Sequence, residues 1–224
     1  MNSTTTTSAD HELINENKIQ GSIAKNKVAI YTIFGVVVAL VVAFGLFKTF
    51  ADKSKAEYNS KIFAFESTIL KDYLANPADP KAAKALEDGV GNLHLQMGEY
   101  LGLLPVVIKA SDALMANSHF SEARSLLSIG EKIASDDYAE YLVQSRQAVV
   151  YEDLGEDKLA IETLEKMTSQ SVKIFEGKTY LDLGRLYLKT GNKEKAKASF
   201  THVVEKAKDD VEFVKMAQLY LAKM

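Results

Sequence analysis

The stretch "YLDLGRLYLKTGNKEKAKASF", from Tyr180 to Phe200, is the part of this chain of 224 residues that indicates its fold most clearly. It places residues of particular size at fixed intervals: Leu183, Gly184, Tyr187, Gly191, Ala196 and Phe200. A Gly inside a helix costs about 1 kcal/mol relative to Ala, so close contact with a second helix is a good reason for Gly184. Gly191 supplies the conformational freedom that a tight turn needs. The spacing therefore predicts two packed antiparallel helices joined by a turn.

The same intervals occur twice more upstream. One copy, 36 residues earlier, consists of Ala148, Tyr151, Gly155, Ala160 and Leu164. A degenerate copy, 37 residues before that, consists of Ser111, Leu114, Ser118, Ala123 and Leu127. Three copies in register predict an all-α, degenerate tetratricopeptide-repeat (TPR) solenoid. The alternative is a plain helical bundle in which small residues recur by chance, and it is also all-α.

Hydrophobic periodicity and capping residues predict the individual helices. They fall near 103–117, 120–134, 138–154, 157–167, 174–190, 193–207 and 210–222. Asp79 before Pro80 predicts a helix start, with the helix ending near Leu86. Further N-caps are expected at Ser121, at Asp136 or Asp137, and at Asp209 or Asp210. Helical patterns flank the glycine-rich segment 87–102, which predicts a helix break or a close helix contact there rather than a phosphate-binding loop.

A membrane anchor is predicted near the N-terminus. The segment 28–47 is an uncharged run of 20 residues between Lys27 and Lys48. As a helix it would span roughly 30 Å, the thickness of a bilayer core. A buried core helix would keep a polar face, and the apolar region of a cleaved signal peptide is usually only about 7–15 residues long. Small residues recur every fourth position and are candidates for a contact between membrane helices: Gly35, Ala39 and Ala43.

The predicted organisation has four parts. Residues 1–27 form a flexible polar tail, 28–47 the transmembrane helix, 48–76 a stalk helix, and 77–224 the TPR-like domain. Lysines are nearly balanced on the two sides of the anchor, so the positive-inside rule does not determine its orientation.

Composition argues against several classes of function. A net charge of -3 argues against a nucleic-acid-binding protein. The absence of cysteine excludes disulfides and thiolate metal sites. The four histidines lack the spacing of a zinc helix, and no G-x-S-x-G motif is present. We therefore expect no metal, cofactor, small-molecule substrate or enzymatic activity; the alternative, a membrane-bound hydrolase, would require acidic and basic side chains clustered in a pocket.

The concave face of a TPR array usually binds the partner, and the first helix of each unit lines it. In this register the candidate residues are Ile108, Asp112 and Met115, then Leu142, Ser145, Val149 and Glu152, then Lys178, Leu181, Arg185 and Lys189. We expect Arg185 and Lys189 to recognise an acidic or carboxylate-bearing segment, because the Arg fork can hold a carboxylate in bidentate fashion. Alternatively, both residues only solvate the helix or offset its dipole.

An anchor, a stalk and degenerate repeats together resemble the TPR-like ancillary subunit family of the bacterial SecYEG translocon. The resemblance is clearest in "AEYLVQSRQAVVYEDLGEDKLAIETLEKM" and "GRLYLKTGNKEKAKASF". It implies a single-pass inner-membrane protein with a cytoplasmic N-terminus, a periplasmic domain and no catalytic residues. The implied partners are translocon subunits and a membrane-anchored periplasmic chaperone of the peptidyl-prolyl isomerase type. The long Thr-rich tail departs from the family, and a TPR adaptor of another envelope assembly, for secretion or cell-wall synthesis, would share every feature above.

Overall fold

The computed structural model describes the backbone of residues 27–224, and the side chains of 53–224 together with Thr32, 35–44 and Lys48. The predicted flexible tail therefore lies outside the described residues except for Lys27. The chain divides into two compact units, 1–57 and Tyr58–Met224.

The described part of the first unit is helical and belongs to helix α1, Lys27–Phe65. Within the described residues, no helix is both long and apolar enough to cross a membrane. Part of the segment 28–47 falls outside the described side chains, so the predicted anchor stays a prediction. Gly35, Ala39 and Ala43 are exposed, and their predicted role in a membrane-helix contact is untested.

The second unit is all-helical throughout the described chain, as predicted. After α1 come a π-helical turn, Glu66–Leu70, and α2, Lys71–Ala75. Helix α3 spans Pro80–Met97, and a 3₁₀ turn, Leu101–Leu103, leads into α4, Leu104–Ala116. The remaining helices are α5 (Phe120–Ile133), α6 (Asp137–Asp153), α7 (Asp157–Ser169), α8 (Glu176–Lys189), α9 (Lys193–Lys206) and α10 (Val211–Lys223).

Three helical hairpins form the body of the second unit: α4 with α5, α6 with α7, and α8 with α9. They correspond to the three predicted repeats, and α10 packs against α9 and α8. Two hydrophobic cores meet at α6. Val143 and Val150 join the core on the N-terminal side, whereas Tyr141 and Ala148 join the core on the C-terminal side.

The turns inside the three hairpins share one backbone geometry. Ser118, Gly155 and Gly191 all adopt left-handed conformations, with φ of 61°, 76° and 84°. In each turn the next amide donates to the carbonyl five residues earlier: His119 to Leu114 at 3.0 Å, Glu156 to Tyr151 at 2.8 Å, and Asn192 to Tyr187 at 2.7 Å. This is the Schellman arrangement that ends a helix. The repeat register read from the sequence is therefore confirmed at the turns.

The predicted close packing at Gly184 is also observed. A Cβ atom at this position would lie 2.5 Å from Cε1 of Phe200, which is fully buried. Ser111, the equivalent small residue of the first hairpin, is fully buried as well. Its hydroxyl has no hydrogen-bond partner among the described residues.

The N-terminal boundary of the folded unit differs from the predicted stalk. The segment 48–76 is helical up to Ala75, as expected, but the compact unit begins at Tyr58. Leu70 and Tyr73 are buried in the first core because this part of the chain packs against α3. Helix α3 runs past the predicted end at Leu86 to Met97. The close helix contact predicted for the glycine-rich segment is observed at Gly89, where a Cβ atom would lie 2.7 Å from the ring of Phe65.

Two of the predicted caps are present. Asp79 accepts a hydrogen bond from the amide two positions on, and Asp136 accepts one from the amide three positions on. Asp210 occupies the N-cap of α10 but makes no side-chain capping bond within the described helix. The cap expected at Ser121 is wrong: the preceding turn leads directly into α5 at Phe120, so Ser121 lies inside the helix.

Candidate functional site

A groove with a volume of about 440 Å³ lies on the face of the array where α6 and α8 approach each other. Helices α4, α6, α7 and α8 and the α7–α8 loop all contribute to it. Its lining residues are Asp112, Tyr141, Ser145, Arg146, Ala148, Val149, Glu152, Leu164, Met167, Phe175, Lys178, Thr179, Asp182, Arg185 and Leu186. The volume is within the range of about 300–1,000 Å³ that is typical of ligand pockets.

Apolar side chains form the base of the groove and part of its rim. Leu164, Met167 and Leu186 are buried members of the second core. Val149 is half-buried above them. Phe175 is 53% exposed at the rim, which is unusual for an aromatic side chain of a folded domain. The groove therefore offers apolar surface that water covers in the free protein.

All six charged side chains that line the groove form ion pairs with one another. Arg146 donates to both carboxylate oxygens of Asp112, at 2.7 and 3.0 Å. Lys178 Nζ lies 2.5 Å from Asp182 Oδ2. Arg185 donates to both oxygens of Glu152, with Nη2 to Oε2 at 2.6 Å. Because the first and third of these pairs join consecutive hairpins, they tie α4 to α6 and α6 to α8.

The Glu152–Arg185 pair holds both of its groups in the charged form. Hydrogen bonds from Arg185 lower the pKa of Glu152, against the opposing effect of its partial burial. The same hydrogen bonds raise the pKa of the Arg185 guanidinium. Asp182 Oδ1 lies 3.6 Å from Nη2 of Arg185 and adds a second negative charge beside it. The guanidinium is thus neutralised from within the chain.

A buried hydroxyl network positions the rim. Tyr141 Oη lies 2.9 Å from Thr179 Oγ1 and accepts a hydrogen bond of 3.1 Å from the amide of Phe175. Thr179 in turn donates to the carbonyl of Phe175 at 3.0 Å. These bonds hold the backbone of Phe175, at the end of the loop between α7 and α8, and so place this residue at the rim.

The predicted concave residues separate into two groups. Those that line the groove are Asp112, Ser145, Val149, Glu152, Lys178 and Arg185. The others lie elsewhere. Ile108 and Met115 pack against the first core, Leu181 is buried in the second core, and Leu142 is exposed outside the lining. Lys189 also lies outside it and donates to Asp157 at 2.5 Å.

The structure changes the interpretation of the predicted basic surface. Arg185 and Lys189 both already have an acidic partner in the preceding hairpin, Glu152 and Asp157 respectively. The two cations also occupy different places, one in the groove and one outside it. An acidic ligand at Arg185 would have to compete with Glu152. Recognition of a partner by this pair stays a hypothesis.

Sequence reasoning missed several residues of the groove, chiefly Tyr141, Arg146, Phe175 and Asp182. A partial signal for Phe175 was present, because the offset between the second and third repeats exceeds the usual 34 residues and predicts extra residues in this linker. The described residues contain no cluster of three or more His, Asp or Glu side chains placed to hold a metal ion.

Comparison with known proteins shows that the third hairpin is similar to a tetratricopeptide repeat. A family model described as a tetratricopeptide repeat matches residues 177–210, which include nearly all of α8 and α9. No curated protein sequence matches the chain. The solved structure of a thermophilic TPR protein from Thermus thermophilus is similar with a TM-score of 0.45 and 20% sequence identity; the alignment covers 75% of this chain and 93% of that chain. The described part of the chain is all-helical, and its third hairpin matches the tetratricopeptide repeat while the other two hairpins share its turn geometry. Arrays of such repeats typically act as protein-binding scaffolds.

Proposed function

We propose that this chain is a non-enzymatic, membrane-tethered scaffold that binds segments of partner proteins in the groove between α6 and α8. The groove itself carries the proposal, because it combines an apolar base with charged walls that are already neutralised. Its volume of about 440 Å³ admits one or two large side chains rather than a folded domain.

The ligand that fits best presents apolar side chains. A charged ligand group would have to displace one member of a bidentate pair, such as Glu152 from Arg185, and leave that member without its partner. An apolar side chain placed against Val149 and Phe175 disturbs no pair. It also removes apolar surface from water at roughly 25 cal/mol per Å². We therefore infer an apolar anchor residue, with the ion pairs serving as walls.

The proposed cellular setting is the Sec translocon of a bacterial inner membrane. Support comes from the uncharged run at 28–47 and from the resemblance of the whole architecture to the translocon's ancillary subunits. In this setting the N-terminus is cytoplasmic and the repeat domain periplasmic. Its partners are then translocon subunits and a membrane-anchored chaperone, and it assists in the handling of exported proteins.

Site-specific photo-crosslinking in native membranes tests the groove and the setting together. A photoreactive residue replaces Val149 in the groove, and in a matched variant it replaces Leu159, which is exposed on α7 outside the groove lining. We expect adducts with translocon subunits or the chaperone from position 149 and not from position 159. Equal labelling at both positions would overturn the groove. Adducts from position 149 that contain only components of another envelope assembly would overturn the translocon setting.

Protease accessibility tests the proposed topology separately. Protease added to intact spheroplasts should digest the repeat domain, whereas a tag placed before residue 27 should survive. Digestion of the domain only after the spheroplasts are lysed would contradict the proposed orientation.

A further inference from the structure

Helix α10 has two opposite faces. Its inner face packs on the second core through Phe213, Val214, Ala217, Tyr220 and Leu221. Its outer face carries Glu212, Met216, Leu219 and Lys223, all of them exposed. Met216 is 45% and Leu219 62% exposed. These two large apolar side chains lie three positions apart and are neighbours on the helix surface, and exposed apolar side chains that lie together mark contact surfaces.

The outer face has the spacing of a helix-packing seam. Its residues are separated by four, three and four positions, which is the spacing of the a and d positions of a heptad. Apolar residues occupy the centre, an acid lies in the first turn, and a base lies in the last turn. Neither Glu212 nor Lys223 forms an ion pair with any residue that the structure describes.

This order of residues is complementary to its own reverse. When two copies of α10 lie antiparallel about an axis between 217 and 218, Met216 faces Leu219 of the second copy. Glu212 then faces Lys223 of the second copy, and the symmetry repeats both contacts. A parallel pair would instead place acid against acid and base against base. We propose that the outer face of α10 is an antiparallel, two-fold self-association surface of this protein.

Charge, spacing and exposure all favour a second copy over another partner. A two-fold interface uses the same patch on both subunits, so each residue must have its complement within the same patch. The two positions that are apolar face each other, and the two that are charged face each other with opposite sign. The face extends over only a few helical turns. Two such faces bury far less surface than the roughly 1,600 Å² of a standard interface, so we expect a reversible association.

Cysteine cross-linking of the full chain tests the geometry, because the chain contains no cysteine of its own. Glu212→Cys and Lys223→Cys are made separately with different tags. In the antiparallel pair each variant alone keeps its two cysteines about 16 Å apart along the axis, beyond the Cα separation of about 7 Å that a disulfide tolerates. We expect disulfide-linked heterodimers from the mixture and none from either variant alone.

Two outcomes would overturn the proposal. Homodimers from each single variant would show parallel packing, and the absence of heterodimers from the mixture would show that α10 does not face itself. Association through the N-terminal helix does not by itself bring these two positions together, so the readout is specific to α10.

Charge and apolar substitutions test the energetics. Glu212→Lys alone and Lys223→Glu alone should each weaken self-association, measured by sedimentation of the full chain in detergent, whereas mixing the two variants should restore it. Leu219→Asp should lower the association constant by about tenfold or more, and Leu159→Asp on α7 should leave it unchanged. Circular dichroism should show both Asp variants folded. Unchanged association for Leu219→Asp, or no recovery on mixing, would refute the proposed surface.

Discussion

Replacing Gly184 with Ala is expected to destabilise the repeat domain, although Ala is the better helix former. The added methyl group would lie 2.5, 2.7 and 2.9 Å from three ring atoms of Phe200. Phe200 is fully buried and stacks on Tyr220 with ring centroids 4.7 Å apart, so the ring has little room to retreat. One helix would therefore have to move away from the other.

The expected magnitude follows from two opposing effects. Overpacking of a core contact typically costs about 1–3 kcal/mol. The change from Gly to Ala inside a helix recovers about 1 kcal/mol of that. Gly91, inside α3, provides the matched control, because no described atom apart from its two chain neighbours and the backbone of its own helix lies within 4 Å of the position its Cβ would take. Gly91→Ala should show only the gain in stability that comes from placing Ala instead of Gly inside a helix.

Thermal unfolding of a fragment that begins at Ser54 measures the difference between the two variants. At about 2–4 °C per kcal/mol for a unit of this size, Gly184→Ala should melt roughly 2–12 °C below Gly91→Ala. In the Phe200→Leu background the penalty at position 184 should shrink, because the clashing ring atoms are gone. If Gly184→Ala raises the melting temperature as much as Gly91→Ala does, the close helix contact is wrong.

Three further predictions concern single residues of the array. Ser118→Gly should raise the unfolding free energy by about 1 kcal/mol in urea titrations, because a left-handed conformation costs a non-Gly residue about 1–2 kcal/mol; Gly155→Ser should do the reverse. Ser111→Ala should be stabilising by about 1 kcal/mol, since it removes a buried hydroxyl without a partner, and a loss of stability would reveal an overlooked hydrogen bond. Glu152→Gln should lower the unfolding free energy at neutral pH, and this loss should shrink as the pH falls below about 4. The reason is that the pKa of Glu152 is lowered in the folded state, so the stability that its carboxylate contributes disappears as the group is protonated. A loss that does not depend on pH would show that the charge of Glu152 is immaterial.

Ion pairs between neighbouring hairpins form the charged walls of the groove. Arg146 with Asp112 and Arg185 with Glu152 both join residues more than thirty positions apart. Such pairs orient neighbouring hairpins and at the same time remove net charge from the groove. A substitution that reverses only one member, for instance Arg185→Glu, places two carboxylates together and affects folding as well as binding.

The local elements of this protein follow from its sequence alone. Small residues at the helix contacts and left-handed residues at the turns are requirements of each hairpin alone, so their spacing was enough to reveal the register. Even Ser118, which is not Gly, was identified by its position in the repeat, and its φ of 61° agrees. Asp79 and Asp136 likewise cap helices that begin within three residues of them.

Which side chains meet across hairpins is evident only in the folded protein. In the sequence, Arg185 and Lys189 look like a basic surface. Their acidic partners, at positions 152 and 157, belong to the preceding hairpin and are about thirty residues away along the chain, so the local sequence does not reveal the pairing. Tyr73 was predicted to lie in a stalk, because the sequence of a helix does not show which neighbouring element covers its apolar side. In the structure this part of the chain packs against α3, and Tyr73 is completely buried. Helix periodicity fixes the face that is buried, but the identity of the covering element depends on how the chain returns on itself, and this is decided by the packing of the whole array.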